Sequence, residues 1–355
     1  MTRFSLSPWT AAAAGLAVGA FTAVPGLAQG LETRPAGLAG RVVTADQSGG
    51  SLSLIDLATG AVVPVPVPVA PHNVDASPDG LWLLAVGEPK GEGHGHDHSD
   101  AGEAAPGRLV LLDAARPAAG PVAEIPVGAH PAHVVTDGAG RRAFVTNAGD
   151  DTVSVIDLAS REVVGTIPTG DYPHGLRASP RGGELYVANV EDGTVSVLDT
   201  NALTEVARIP VGTAPVQVGF LPDGSRAYVS LRDEDAVAVI DTATREVVAK
   251  VPVGNGPIQV HATPDGRHVY VANEGFEDEP SDQVSVIDTA TERVVATITV
   301  GDGPHGVAVS DAAAFVTDIR ADSLSIIDLS TQGVLATVPV GDGPNGVVYL
   351  PGTPG

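Results

Sequence analysis

The 355-residue sequence contains no cysteine. That excludes disulfides, thiolate metal ligands, iron–sulfur clusters and cysteine nucleophiles together, so any metal site must use nitrogen and oxygen donors. Aromatic residues make up only 4% and there is one methionine, so a core must be built mainly from Val, Ile, Leu and Ala. Positive charge is scarce too: 19 Lys and Arg against 43 Asp and Glu give a formal net charge of −24. Broad nucleic-acid binding depends on basic side chains neutralising phosphate, and this balance argues against it. An acidic surface attracts cations and basic partner patches instead.

Beyond the first thirty residues, no segment approaches the ~20 apolar residues of a membrane-spanning helix. The start reads as an export signal: MTRF carries one positive charge, AAAAGLAVGAFTAV is an apolar stretch, and VPGLAQG offers small residues at Gly26 and Ala28. Cleavage is expected after Ala28, giving a signal peptide over 1–28 and a linker over 29–40. The mature protein is expected to be periplasmic or secreted, with no membrane span once the signal is removed.

Glycine (43) and proline (29) are plentiful, which fits many short strands joined by tight turns. The strands repeat. A proline followed by an apolar strand occurs as PHNVDAS at 71, PAHVVTD at 131, PHGLRAS at 173, PVQVGFL at 215, PIQVHAT at 257, PHGVAVS at 304 and PNGVVYL at 344. A second element recurs as SLSLIDL, RLVLLDA, TVSVIDL, TVSVLDT, AVAVIDT, QVSVIDT and SLSIIDL. Between them fits a unit of four short strands, about 42 residues long, which is the blade of a β-propeller. After Pro344 only one strand remains, while three unassigned strands (RVVTADQ, SLSLIDL and AVVPVPVPV) stand at the start. Joining them completes a seventh blade and removes two exposed sheet edges. The expectation is an all-β, seven-bladed propeller over 41–351, with an insertion at 87–107 and a short tail at 352–355. Asp157, Asp199, Asp241 and Asp288, each closing a third strand, read as turn residues that accept backbone N–H groups.

YVANVEDGTVSVLDT and FVTNAGDDTVSVIDL resemble the YVTN repeat family of bacterial propellers, which includes exported YncE-like proteins. The resemblance spans 41–351. It implies the fold and leaves activity open, because the family holds binding proteins, enzyme subunits and surface-layer components.

Ten histidines carry the functional reading. His94, His96 and His98 alternate around Asp97 in GEGHGHDHSD, within the blade-one insertion, and this pattern reads as metal capture by imidazole. Strand alternation places that insertion on the same face as the entries to the innermost strands, where His72, His130, His133, His174 and His305 lie. His72, His174 and His305 each follow the repeat proline and are expected at the mouth of the central channel, with His133 one position later. Asn345, Gln217 and Gln259 hold neighbouring positions in other blades. Asp171 and Asp302, three residues before their histidines, are expected to orient those imidazoles through the second ring nitrogen. Another insertion on this face, NEGFEDEPSDQ, contributes Glu274, Glu277, Asp278, Glu279 and Asp282 and reads as a solvated acidic loop. The only histidines off this face are His261 and His268.

No G-x-S-x-G elbow, H-E-x-x-H or phosphate loop is present, so no catalytic arrangement is assigned. The reading that follows is an exported propeller that captures zinc in its His-rich loop and a channel-mouth cluster, with copper or nickel as alternatives. Zinc leads because the cluster lacks the sulfur ligands that favour Cu(I). In layout the chain is similar to exported zinc metallochaperones, which join a propeller to a His-rich loop, and that similarity implies a partner of the transporter-linked, metal-binding kind. Two other classes remain open: a metal-indifferent scaffold that binds protein or polymer, and a redox or lyase propeller that uses the histidine ring.

Overall fold

The computed structural model describes residues 38–90 and 106–352. The expected export signal, the His-rich loop at 91–105 and the last three residues lie outside the described residues.

Seven four-stranded antiparallel sheets are arranged as blades around a central channel. The innermost strands of blades one to seven are Val69–Ala76, Pro131–Thr136, Pro173–Ala178, Pro215–Phe220, Pro257–Ala262, Pro304–Val309 and Pro344–Leu350. Blade seven closes the ring as expected. Its innermost strand is C-terminal and pairs antiparallel with Arg41–Asp46, Arg41 standing opposite Leu350.

The strand sequences account for their layers. Glu184–Asn189 (ELYVAN) and Thr194–Asp199 (TVSVLD) are buried on both faces because a neighbouring blade covers each side. The outermost strand Thr204–Pro210 (TEVARIP) alternates between exposed and covered positions, as a strand at the rim should. The core is accordingly a set of wedges between blades. In one, Tyr186, Val195 and Val197 of blade three meet Val218, Phe220 and Val229 of blade four. Tyr186 and Phe220 pack edge to face there, with centroids 5.0 Å apart.

Two polar residues of the repeat tie blades together. Asn147 donates to Thr152 Oγ1 (2.9 Å) and Ser154 Oγ (3.0 Å) in the next strand, and its Oδ1 accepts the Gly128 N–H (3.0 Å). Asn189 repeats the side-chain donations in blade three. The glycine beside each latch is required by space: a Cβ on Gly254 would lie 2.7 Å from Asn273 Nδ2. In blades six and seven the latch is Asp318 or Asp46, which accepts serine hydroxyls instead. One residue earlier, Thr146 accepts from His133 N (2.9 Å) and donates to the carbonyl of His174 (2.7 Å), joining blades two and three at the mouth. The third-strand aspartates are turn residues, as expected; Asp157 Oδ1 accepts the N–H groups of Ala159 and Ser160.

Candidate metal centre at the channel mouth

Each innermost strand enters its blade through a β-bulge. Pro173 pairs with Asn189 but Leu176 with Val187, so one extra residue is accommodated at His174–Gly175. The same shift occurs at Ala132–His133 and at His72. A bulge re-aims the side chains of the bulged strand. Here it turns His72, His133 and His174, from three consecutive blades, toward one another. Their ring centroids are 5.0–5.7 Å apart, and one nitrogen from each lies within 4.8 Å of the other two.

The second nitrogen of each ring is engaged behind it. His174 Nδ1 faces the carbonyl of Val216 (3.3 Å), the Asn345 amide lies 3.4 Å from His72 Nδ1, and the Gln217 amide lies 3.3 Å from His133 Nδ1. A consistent proton assignment follows. His174 carries its proton on Nδ1 and donates to Val216. Its Nε2 then accepts from His72 Nε2–H across 3.2 Å, while His72 Nδ1 accepts from Asn345. His133 Nε2 is buried and has no hydrogen-bond partner. Turning the Asn345 amide over would present Oδ1, otherwise without a hydrogen-bond partner, to a proton on His72 Nδ1. That would free the His72 Nε2 lone pair.

Burial, followed by mutual repulsion among the imidazoles, holds His72 and His133 well below the ordinary imidazole pKa. His174 is lowered to about 4, by burial first and then by the nearby His305. All three rings are neutral at physiological pH, the state that binds a metal ion.

His305 stands across the mouth, near enough to influence the charge of all three. Its orienting carboxylate is not the one expected. Glu274, from the acidic insertion, binds His305 Nδ1 at 2.7 Å, whereas Asp302 pairs with Arg320 at 3.0 Å. The reason is local. The insertion lengthens the strand His268–Gly275 past Asn273 before it turns between Phe276 and Glu279, and this extra length carries Glu274 to His305 of the next blade. Burial pushes the Glu274 carboxyl up, but His305, Arg320 and Arg232 outweigh it and hold it below the usual range. His305 Nε2 is buried without a partner. Asp171 is exposed and likewise does not orient its histidine, since His174 Nδ1 is taken by a backbone carbonyl. His130 is exposed and bound to Glu88, apart from the trio. Gln217 and Asn345, which the repeat alignment placed beside the histidines, prove to be partners of the trio; Gln259 instead accepts the Val307 N–H (3.3 Å). His94, His96, Asp97 and His98 lie outside the described residues.

Two family models match the chain. Residues 94–258 match the Cytochrome D1 heme domain, and residues 213–315 match the YNCE-like beta-propeller. No curated protein matches in sequence. Among solved structures, the chain is similar to Kuenenia stuttgartiensis hydrazine synthase (23% identity, 79% of this chain and 89% of that one, TM-score 0.67). It is also similar to a protein of unknown function from Desulfotomaculum acetoxidans (15% identity, 87% and 98%, TM-score 0.70). A third is the dihydro-heme d1 dehydrogenase NirN (15% identity, 89% and 77%, TM-score 0.62). At these identities the likeness is one of fold. Among the described residues, no helix is long and apolar enough to cross a membrane. The closed ring of seven four-stranded blades makes the chain a seven-bladed β-propeller, and its match to the YNCE-like beta-propeller over residues 213–315 supports the resemblance to YncE-like proteins.

Proposed function

We propose that this protein is an exported metal-binding propeller in which His72, His133 and His174 hold a divalent transition ion, zinc first among them. One observation carries the reading: three neutral imidazoles from three blades bring a nitrogen each within 4.8 Å of one another. Tetrahedral zinc needs its nitrogen donors about 3.3 Å apart. The His72–His174 pair already stands at 3.2 Å, so closure asks for a small rotation of His133. Three protein ligands leave a fourth position open, which suits a site that exchanges its ion or binds a further ligand. The His-rich loop hangs from the blade that supplies His72 and serves as the capture arm. Delivery to a metal-binding partner outside the cytoplasm completes the role.

Kinship with a haem-domain family raises a haem as the alternative occupant. The trio does not fit one. Its donor nitrogens face one another, and His133 is only 2% exposed, which leaves no room to lay a macrocycle across any single ligand.

Metal analysis of untagged protein, with zinc titration and stopped-flow loading of two variants, tests the proposal. A His94, His96 and His98→Ala variant should keep one tightly held zinc but load it more slowly. A His72, His133 and His174→Ala variant should keep only weak, quickly exchanging metal. Tight binding that survives loss of the trio refutes the proposal, and metal-free protein that captures a specific macromolecule favours the scaffold reading.

A further inference from the structure

Below the trio the channel carries a charge without a direct partner. Arg177 lies three residues past His174 on the innermost strand of blade three, between Leu176 and Ala178, which pack into the wedge against blade two. Its side chain is half-buried. Its charge acts on Asp75 of blade one, His133 of blade two and His261 of blade five. All four residues stand on innermost strands, the ones that line the central channel, so Arg177 faces the channel side of its blade. Yet Arg177 makes no hydrogen bond and no ion pair within 4.0 Å to any described residue.

The acid that acts on it, Asp75, does not neutralise it directly. Asp75 turns instead to backbone, accepting the Thr136 N–H at 3.3 Å, and burial raises its pKa against the pull of Arg177. His261, at the equivalent repeat position in blade five, donates from Nδ1 to the carbonyl of Ala262 at 2.9 Å. Burial and then Arg177 lower its pKa to about 4, so it is neutral at physiological pH. A guanidinium presents five N–H donors in a planar fork that matches the two oxygens of a carboxylate or phosphate. Arg177 is not among the residues whose unpartnered polar atoms are sealed from solvent, so its donors are open to a ligand or water.

We infer that the channel beneath the histidine trio is a binding site for a small oxyanion, with Arg177 as its fork. The site deepens the metal reading and also stands apart from it. An ion held by three neutral imidazoles keeps its full charge in a buried place, and an oxyanion on Arg177 lies where it would offset that charge. The donors of Arg177 are present whether or not metal is bound.

Calorimetric titration of oxalate and of inorganic phosphate into metal-free and zinc-loaded protein tests the inference. At least one anion should bind the metal-free protein. Arg177→Gln should weaken it roughly tenfold or more, as for loss of charge-assisted hydrogen bonds, while leaving zinc stoichiometry intact. Arg177→Lys should retain part of the affinity, since it keeps the charge but not the fork. Asp75→Asn should tighten binding by removing a competing negative charge. If Arg177→Gln fails to fold, the Lys and Asn variants carry the test with their opposite signs. Absence of binding by both anions, or equal affinity in wild type and variants, overturns the inference. Loss of zinc binding with anion binding retained overturns the metal reading alone.

Discussion

Lowering the pH should separate the two proposed metal sites. Protons compete with metal for imidazole, and each ligand weakens apparent affinity by a factor of one plus 10 to the power (pKa − pH). An ordinary imidazole titrates near 6.5, so at pH 5.5 each costs about tenfold, and three loop histidines together cost about a thousandfold. The trio behaves differently. His174 is lowered to about 4, which at pH 5.5 leaves about 3% of it protonated, and His72 and His133 are also well below the ordinary value. These are depressed histidines, so the neutral state persists down to the folded pKa and is lost only below it. Zinc affinity of the His94, His96 and His98→Ala variant, measured against a competing chelator, should stay nearly flat from pH 7.5 to 5.5 and fall below about pH 4.5. The fast, weak component contributed by the loop should vanish over the upper range. A thousandfold loss in the loop variant between pH 7.5 and 5.5 would show that its metal is held by ordinary, solvated imidazoles, and the trio assignment would fail.

Two further expectations concern the blade latch. Asp318, buried where blades two, three and five carry Asn, is raised by burial to about 6; a raised carboxyl stabilises the fold below its unfolded pKa and loses that contribution as pH rises through about 6. Asp318→Asn should therefore stabilise the protein by about 2–3 kcal/mol at pH 7.5, and the gain in thermal midpoint should shrink toward zero near pH 4. An equal gain at both pH values would contradict the ionisation argument. Gly254→Ala, whose Cβ would lie 2.7 Å from Asn273 Nδ2, should destabilise by about 1–3 kcal/mol through overpacking, measured by denaturant unfolding; a neutral outcome would mean that the latch can shift.

The architecture was legible because each blade repeats the same solution. The proline that opens PHGLRAS, the Asn that latches ELYVAN and the turn Asp that ends TVSVLD recur at fixed spacing, and spacing is what a sequence displays. His72, His133 and His174 were legible as candidates for the same reason. Their convergence was not, because it depends on a bulge that turns each ring, and the bulge leaves no mark beyond one unpaired residue. The orienting acid was misread in a way that follows from chain geometry. Asp302 is three residues from His305 in sequence, but Glu274 reaches it across a blade boundary from a strand that the insertion lengthens. Arg177 gave no signal at all, since a single basic residue within a strand reads as solvent-facing until the ring closes around it.

The pairing of Arg41 with Leu350 fixes more than the closure of the ring. Innermost strands run from the histidine mouth toward the opposite face, so the last strand ends on that far face and the first strand begins beside it. Both ends of the propeller therefore leave from the side away from His72, His133 and His174. Anything joined to either end, whether a purification tag, a fused domain or a solid support, stands behind the molecule. A protein held by either end of the propeller would present His72, His133 and His174 on the side facing solution.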